Sequence, residues 1–258
     1  YSTPLSGGAS IPLGQPHGSI EIADLSPDGS QVLLIANDSN PNNSALYSAP
    51  VQGGETTLLH STGESGYIYQ AKFVNDGNDI LFISRGFNST YDIHQMAAVE
   101  GSTPRLLKSG FASSIHMVLT PDKKKAITTF SDSGGQKGFL LLTDISSSTT
   151  TTLTTSSSHD SPVFDLSPDN TSLVYFAKPD ENTPLQLFSA SLQDGTSAKL
   201  SIDSTFDTSD LFTTPVVNGG QICVVYHLET DLIKPRELYS SCYDTKWSNQ
   251  TFLPLITR

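Results

Sequence analysis

The chain has 258 residues and carries 14 Lys and Arg against 26 Asp and Glu, a formal charge of −12 at neutral pH; 36% of it is hydrophobic and 16% charged. So acidic a chain argues against nucleic acid or an anionic lipid surface as a partner, because both need clustered cations. No apolar run approaches the ~18 residues of a membrane-crossing helix, so no membrane insertion is expected, and the abundance of Ser and Thr suits many short, half-buried strands.

In chain order, YSTPLSGGA (Tyr1 to Ala9) aligns with YSAPVQGGE (Tyr47 to Glu55) at an offset of 46. Tyr1 is therefore expected to begin in the third strand of a repeated unit. Its first two strands would then lie upstream in a parent protein, or a second chain would fill the gap. From Ile20 the pattern is complete. Ile20 to Leu25 forms a first strand, SPDG (Ser26 to Gly29) a turn, and Val32 to Ala36 a second strand; after a polar loop come Leu46 to Val51, the turn QGG, and Glu55 to Leu59. Pro-Asp-Gly suits a tight turn because Pro pre-sets φ, Asp bonds the backbone two residues on, and Gly accepts positive φ.

The same order returns four times. The turns are VNDG (Val74 to Gly77), TPDK (Thr120 to Lys123), SPDN (Ser167 to Asn170) and NGG (Asn218 to Gly220), at steps of 48, 46, 47 and about 51 residues. Each leads into a β-rich run: ILFIS (Ile80 to Ser84), AITTF (Ala126 to Phe130), LVYFA (Leu173 to Ala177) and ICVVY (Ile222 to Tyr226). A second hairpin follows each run, over Ile93 to Leu107, Phe139 to Leu153, Leu187 to Leu200 and Glu237 to Leu255. The Ser/Thr tract from Ser146 to Ser158 falls on such an outer hairpin, where Thr is at home in strands. Lys123 to Lys125, the one basic run, falls in a turn and reads as solvated.

A four-stranded unit of this size cannot bury both faces of its sheet alone, so copies must stack. Four strands per repeat of about 48 residues is propeller geometry. The expected fold is all-β: a six-bladed β-propeller with its first blade incomplete, spanning 1–258 as one domain. Its parts are an outer hairpin at 1–19 and five blades at 20–66, 67–114, 115–159, 160–211 and 212–258.

The blocks SPDG-xx-VLLI and LYSAPVQGGETTLL, with their four partners, resemble the Pro-Asp (WD-like) repeats of TolB-like β-propellers over nearly the whole chain. Similar blades occur in tricorn-type proteases, in the prolyl oligopeptidase family and in some pectate-fragment lyases. The resemblance implies the fold and leaves activity open, because this scaffold carries unrelated functions.

Compartment is written more clearly. Five Asn-x-Ser/Thr sequons, at Asn37, Asn42, Asn88, Asn170 and Asn249, all fall in expected loops or turns, where a glycan can be accommodated. Cys223 and Cys242 lie on the second and third strands of the last blade. If Leu228 pairs with Glu237, the antiparallel register sets the two cysteines opposite each other, within reach of a disulfide. Sequons and a disulfide together point to an extracellular, secreted or cell-surface, glycoprotein.

Chemistry-bearing residues are sparse. His17 and His159 fall in linkers and His116 on an innermost strand, so three imidazoles near one axis are weak candidates for a metal site. Their repeat positions do not coincide, and the lyases' metal residues cannot be carried over to them. Asp24 and Asp165 share one inner-strand position, where the third blade has Lys72; a charged ring in the channel could select a ligand, but pairing between neighbouring blades is the expected role. Asp38, Asn40 and Asn42 faintly echo a calcium loop that lacks its Gly and Glu, and Trp247 reads as a packing cap. No catalytic motif is present, and no cofactor is expected.

The expected function is therefore a glycosylated binding or structural module. Its partner would be a protein, a carbohydrate or a neighbouring copy assembled through the incomplete blade. The alternatives are the regulatory propeller of a larger prolyl-oligopeptidase-type hydrolase, or a polysaccharide lyase or lectin that uses the channel.

Overall fold

The computed structural model describes residues 2, 9–13, 19–37, 43–63, 66–86, 90–132, 137–156, 164–201, 208–212, 216–218, 221–228, 237–244 and 250–254. These form five antiparallel sheets. The first contains β1 (Ser19–Leu25), β2 (Gln31–Asn37), β3 (Ser44–Pro50) and β4 (Thr57–Ser61); the second β5 (Tyr67–Val74), β6 (Asp79–Arg85), β7 (Tyr91–Ala97) and β8 (Arg105–Phe111). The third contains β9 (Ser113–Leu119), β10 (Lys125–Ser131), β11 (Gly138–Asp144) and β12 (Thr149–Ser156); the fourth β13 (Phe164–Leu166), β14 (Ser172–Ala177), β15 (Gln186–Ser191) and β16 (Ser197–Lys199). In the fifth, β17 (Thr208–Phe212) and β18 (Val216–Asn218) both pair β19 (Gln221–Leu228), followed by β20 (Glu237–Asp244) and β21 (Gln250–Pro254). The innermost strand of this last sheet is thus split in two, where one strand was expected.

The second strand of each sheet explains why the sheets stack. Strands β2, β6, β10 and β14 are apolar or buried almost throughout instead of alternating, the pattern of a strand covered on both faces. In the first sheet, Leu33 and Ile35 join Ile68, Ala71, Phe73 and Phe82 of the second, whereas Val32 and Leu34 turn the other way, to Ala49, Tyr47 and Leu13. In the fourth, Leu173, Tyr175 and Ala177 meet Ile127, Leu140 and Leu142, whereas Val174 and Phe176 meet Ile222, Val224 and Tyr226. Period-two side-chain alternation therefore sends each face of a central strand into a different hydrophobic layer. Each fully buried Leu, Ile or Phe contributes about 1.5–3 kcal/mol.

The Pro-Asp turns share one hydrogen-bond design. Ser26 Oγ donates to Asp28 Oδ1 at 2.6 Å and accepts from the Gln31 N–H at 2.9 Å, while Asp28 accepts from the Ser30 N–H at 3.0 Å. Thr120 with Asp122 and Ser167 with Asp169 repeat it at 2.6 and 2.7 Å. The residue after Asp takes a left-handed φ in each: +69° at Gly29, +53° at Lys123 and +56° at Asn170. The turn after β5 departs from the plan. Asn75 and Asp76 both have positive φ, and the Asn75 amide reaches Asp79 instead.

The chain divides into two compact units, residues 1–113 with 144–150, and residues 114–143 with 151–258. Within the first, polar groups join neighbouring elements. Gln95 donates to Asp79 at 3.0 Å and accepts from the Ser148 hydroxyl at 2.9 Å. Lys72 Nζ donates to the Ala23 carbonyl at 3.1 Å. Of the expected N-terminal hairpin, Ser2 and Ile11 form an antiparallel bridge, and Ser2 Oγ donates to the Val51 carbonyl at 2.7 Å. Among the described residues no helix is long and apolar enough to cross a membrane.

Candidate functional site

At the end of the second sheet where β5 begins, β6 ends and β7 begins, the register lines up Tyr67, Arg85, Tyr91 and Phe111 across four strands. Side chains in such a row share a face, so tyrosine, arginine and tyrosine are cross-strand neighbours. Next to the row, the pairing of β5 with β6 slips between Ile68 and Gln70, which makes Tyr69 the extra residue of a β-bulge. Bulges re-aim side chains. Here the bulge sets the Tyr69 ring edge-on to Tyr67 at 4.7 Å and to Tyr91 at 4.9 Å between centroids.

The electrostatics follow from that packing. The Arg85 guanidinium lies 5.5 Å from the Tyr91 ring centroid, a cation–π contact, and hydrogen bonding to the Tyr69 hydroxyl holds Arg85 above even its ordinary range. Burial, with the Tyr91 hydroxyl donating to that of Tyr69, pushes Tyr91 up to about 12. Tyr91 is 8% exposed, whereas Tyr69 is 37% exposed. The cluster thus has a buried anchor and an open aromatic face beside a fixed cation. Aromatic faces and guanidinium donors together suit a sugar ring or another flat, oxygen-rich group. No sequence motif marks this cluster. The legible signal was Tyr-x-Tyr on an innermost strand, which reads as core unless the bulge is known.

Among the described residues singled out from sequence, Asn37 reaches the cluster. It ends β2, accepts from Ser44 Oγ at 2.6 Å, and its Nδ2 is 3.4 Å from the Tyr67 hydroxyl. Asn170 occupies the left-handed position of its turn. Asn42, Asn88 and Asn249 lie outside the described residues, as do His17, His159, Trp247 and most of the calcium-like loop. His116 is exposed on β9, 6.3 Å from the Phe164 ring, and among the described residues no group of His, Cys, Asp or Glu is placed to hold a metal ion. Cys223 and Cys242 face each other across β19 and β20 and form a disulfide, with Leu228 opposite Glu237. Asp24 pairs with Lys72; Asp165 instead accepts from the N–H of its neighbour Leu166 at 2.8 Å.

Two imidazoles in the first unit also escaped the sequence reading. His60 and His94 flank the Phe82 ring at 5.5 and 5.0 Å. Burial lowers both from their ordinary value; for His94, Asp92 opposes the shift and His60 adds to it. The Nδ1 of His94 and Oδ1 of Asp92 are buried without a hydrogen-bond partner.

No protein-family model and no curated protein matches the sequence. Solved structures do. The β-propeller domain of the Trilobed protease from Pyrococcus furiosus, described as having an open velcro topology, aligns over 93% of this chain and 72% of its own, with a TM-score of 0.52 at 13% identity. The fold is a β-propeller. A puromycin-hydrolyzing peptidase from Mycobacterium tuberculosis aligns over 94% of the chain at 14% identity and a TM-score of 0.50, but the chain spans only 40% of that peptidase. TolB from Acinetobacter baumannii aligns over 92% of the chain and 54% of its own length, at 20% identity and a TM-score of 0.44. At such identities it is the propeller fold that is shared, as the repeat pattern predicts.

Proposed function

We propose that this propeller is a secreted or cell-surface glycoprotein that acts as a binding or structural module, without chemistry of its own. The observation that carries the compartment is the Cys223–Cys242 disulfide, because such bonds persist where thiols are not kept reduced. The sequons agree with it. The binding role is supported by the outer strands. Strands β4 and β8 each end their sheet, and each presents a leucine at the equivalent repeat position, Leu58 at 43% and Leu106 at 53% exposure. Apolar side chains on unpaired strand edges favour strand addition by a partner or a second copy.

The test is sedimentation velocity of the protein secreted from eukaryotic cells, alongside a Leu58→Lys, Leu106→Lys variant. Concentration-dependent association that the two lysines abolish is the expected result. Free thiols in the secreted protein, or identical monomeric behaviour of both forms with no captured partner, would count against the reading.

A second reading has one observation in its favour. The chain matches only the part of the Mycobacterium tuberculosis peptidase that it spans, so it also fits the propeller of a larger hydrolase. A transcript encoding a contiguous catalytic domain would decide for it.

A further inference from the structure

Asn37 stands where two independent features meet. It heads the sequon Asn37-Asp38-Ser39, and it adjoins the tyrosine and arginine row. Its Oδ1 is pinned by the Ser44 hydroxyl at 2.6 Å. Its Nδ2, the atom that carries an N-linked glycan, is held loosely, 3.4 Å from both the Ser19 and the Tyr67 hydroxyls. These are long for hydrogen bonds. Fixing the carbonyl side aims the nitrogen at the edge of the tyrosine cluster.

We propose that Tyr67 and Tyr69, with Arg85 behind them, form a platform for the first N-acetylglucosamine of a glycan on Asn37. The proposal rests on the glycoprotein reading above and goes beyond it by giving the tyrosine cluster an occupant. In the attachment step the Asn37 amide nitrogen bonds to the anomeric carbon of a lipid-linked oligosaccharide donor. The nitrogen loses one proton, and the lipid diphosphate departs with the bonding electron pair. One N–H remains, enough to keep either the Ser19 or the Tyr67 contact. The apolar C–H face of the sugar then covers the ring that the bulge leaves open, since Tyr69 is the exposed member of the cluster. Arg85, already anchored over Tyr91, supplies donors to the sugar's oxygens.

The experiment uses the whole chain secreted from eukaryotic cells and mapped by glycopeptide mass spectrometry. The unsubstituted protein is compared with Ser39→Ala, which removes the glycan and leaves Asn37 in place, with Tyr69→Ala, and with both together. Asn37 is expected to be occupied. Ser39→Ala should lower the melting temperature by about 2–4 °C, the shift that ~1 kcal/mol gives in a domain of this size. The shift should shrink to under half when Tyr69→Ala is also present. A readout that needs no substitution is the acetyl-methyl proton resonance of that sugar, which a ring beneath it moves upfield. Three results overturn the proposal: an unmodified Asn37 beside other occupied sequons, equal melting shifts with and without Tyr69→Ala, or an acetyl resonance at its free position. If no sequon is occupied, the glycoprotein reading fails and the platform fails with it.

Discussion

Asp24 and Lys72 occupy equivalent places on the innermost strands of adjacent sheets, and they meet as an ion pair at 3.7 Å. The contact is more than a charge pair. Asp24 Oδ2 also accepts the Phe73 N–H at 2.9 Å, and Lys72 donates to the Ala23 carbonyl. Each side chain thus ties the other strand's backbone, which fixes the sliding register of two sheets that otherwise meet through non-directional apolar contacts.

The two halves of the pair should not be equivalent in stability. Asp24→Ala removes the acceptor of a part-buried backbone N–H, at a cost of about 1–3 kcal/mol. Lys72→Met keeps the apolar stem and leaves the Phe73 N–H bonded to Asp24; it loses a partly exposed ion pair, worth at most about 1 kcal/mol, and the bond to the Ala23 carbonyl. Urea titration of both variants should therefore give a larger drop in midpoint for Asp24→Ala. Equal drops would mean that the charge pair, and not the hydrogen bond to Phe73, is what matters.

Lys123 takes the left-handed position that Gly29 fills in the first Pro-Asp turn, at φ +53°. A side chain there costs roughly 1 kcal/mol relative to glycine, although the glycine also loses more chain entropy on folding. Lys123→Gly should consequently stabilise the protein by a few tenths to about 1 kcal/mol, read as a raised midpoint in chemical denaturation. Gly29→Lys should do the reverse. A destabilised Lys123→Gly variant would show that the lysine side chain makes a contact worth more than the strain.

How much of this was legible from sequence depends on whether the signal repeats. The strands were legible because Leu33, Leu81, Ile127 and Val174 each stand four residues past the end of their turn, and a repeated error is improbable. The disulfide was legible because antiparallel register is arithmetic once a hairpin is placed, and Leu228 does face Glu237. The tyrosine cluster was not. It depends on a one-residue slip at Tyr69, and bulges leave no dependable mark in a single sequence. The paired imidazoles were hidden for another reason. His60 and His94 belong to different strands of different sheets, and only packing around Phe82 brings them together.

The Pro-Asp turns predict an acid limb. The Ser26 hydroxyl, with help from Ser30, holds Asp28 down at about 2. The Thr120 hydroxyl and the Lys124 N–H lower Asp122 in the same way. At Asp169 burial pulls upward, but the Ser167 hydroxyl and the Thr171 N–H outweigh it. A depressed carboxylate binds fewer protons folded than unfolded, so its stabilisation is present above pH ~4 and is lost as pH falls toward 2. Melting temperatures measured across that window should fall, and Ser26→Ala should shift the Asp28 titration upward by NMR. An unchanged Asp28 titration in that variant would remove the hydroxyl as its cause.

The histidine pair acts in a higher window and on a different contact. Burial lowers both His60 and His94, so the unfolded chain takes up protons at a pH where the folded chain does not. Stability from this pair is therefore complete above about 6.5 and declines as pH drops below it. Asp92 on the same strand as His94 works against the decline by favouring the charged ring, and His60 works with it. Charging the pair places two cations against Phe82 between neighbouring sheets, where His94 Nδ1 has no partner. Stability measured by denaturation between pH 7 and 5 should slope downward toward acid. His94→Gln should flatten the slope while costing some stability at pH 7, because a neutral amide keeps the polarity and cannot charge. Asp92→Asn should steepen the slope by removing the group that favours the imidazolium. If all three proteins show the same slope, some titrating group other than this pair governs stability in that range.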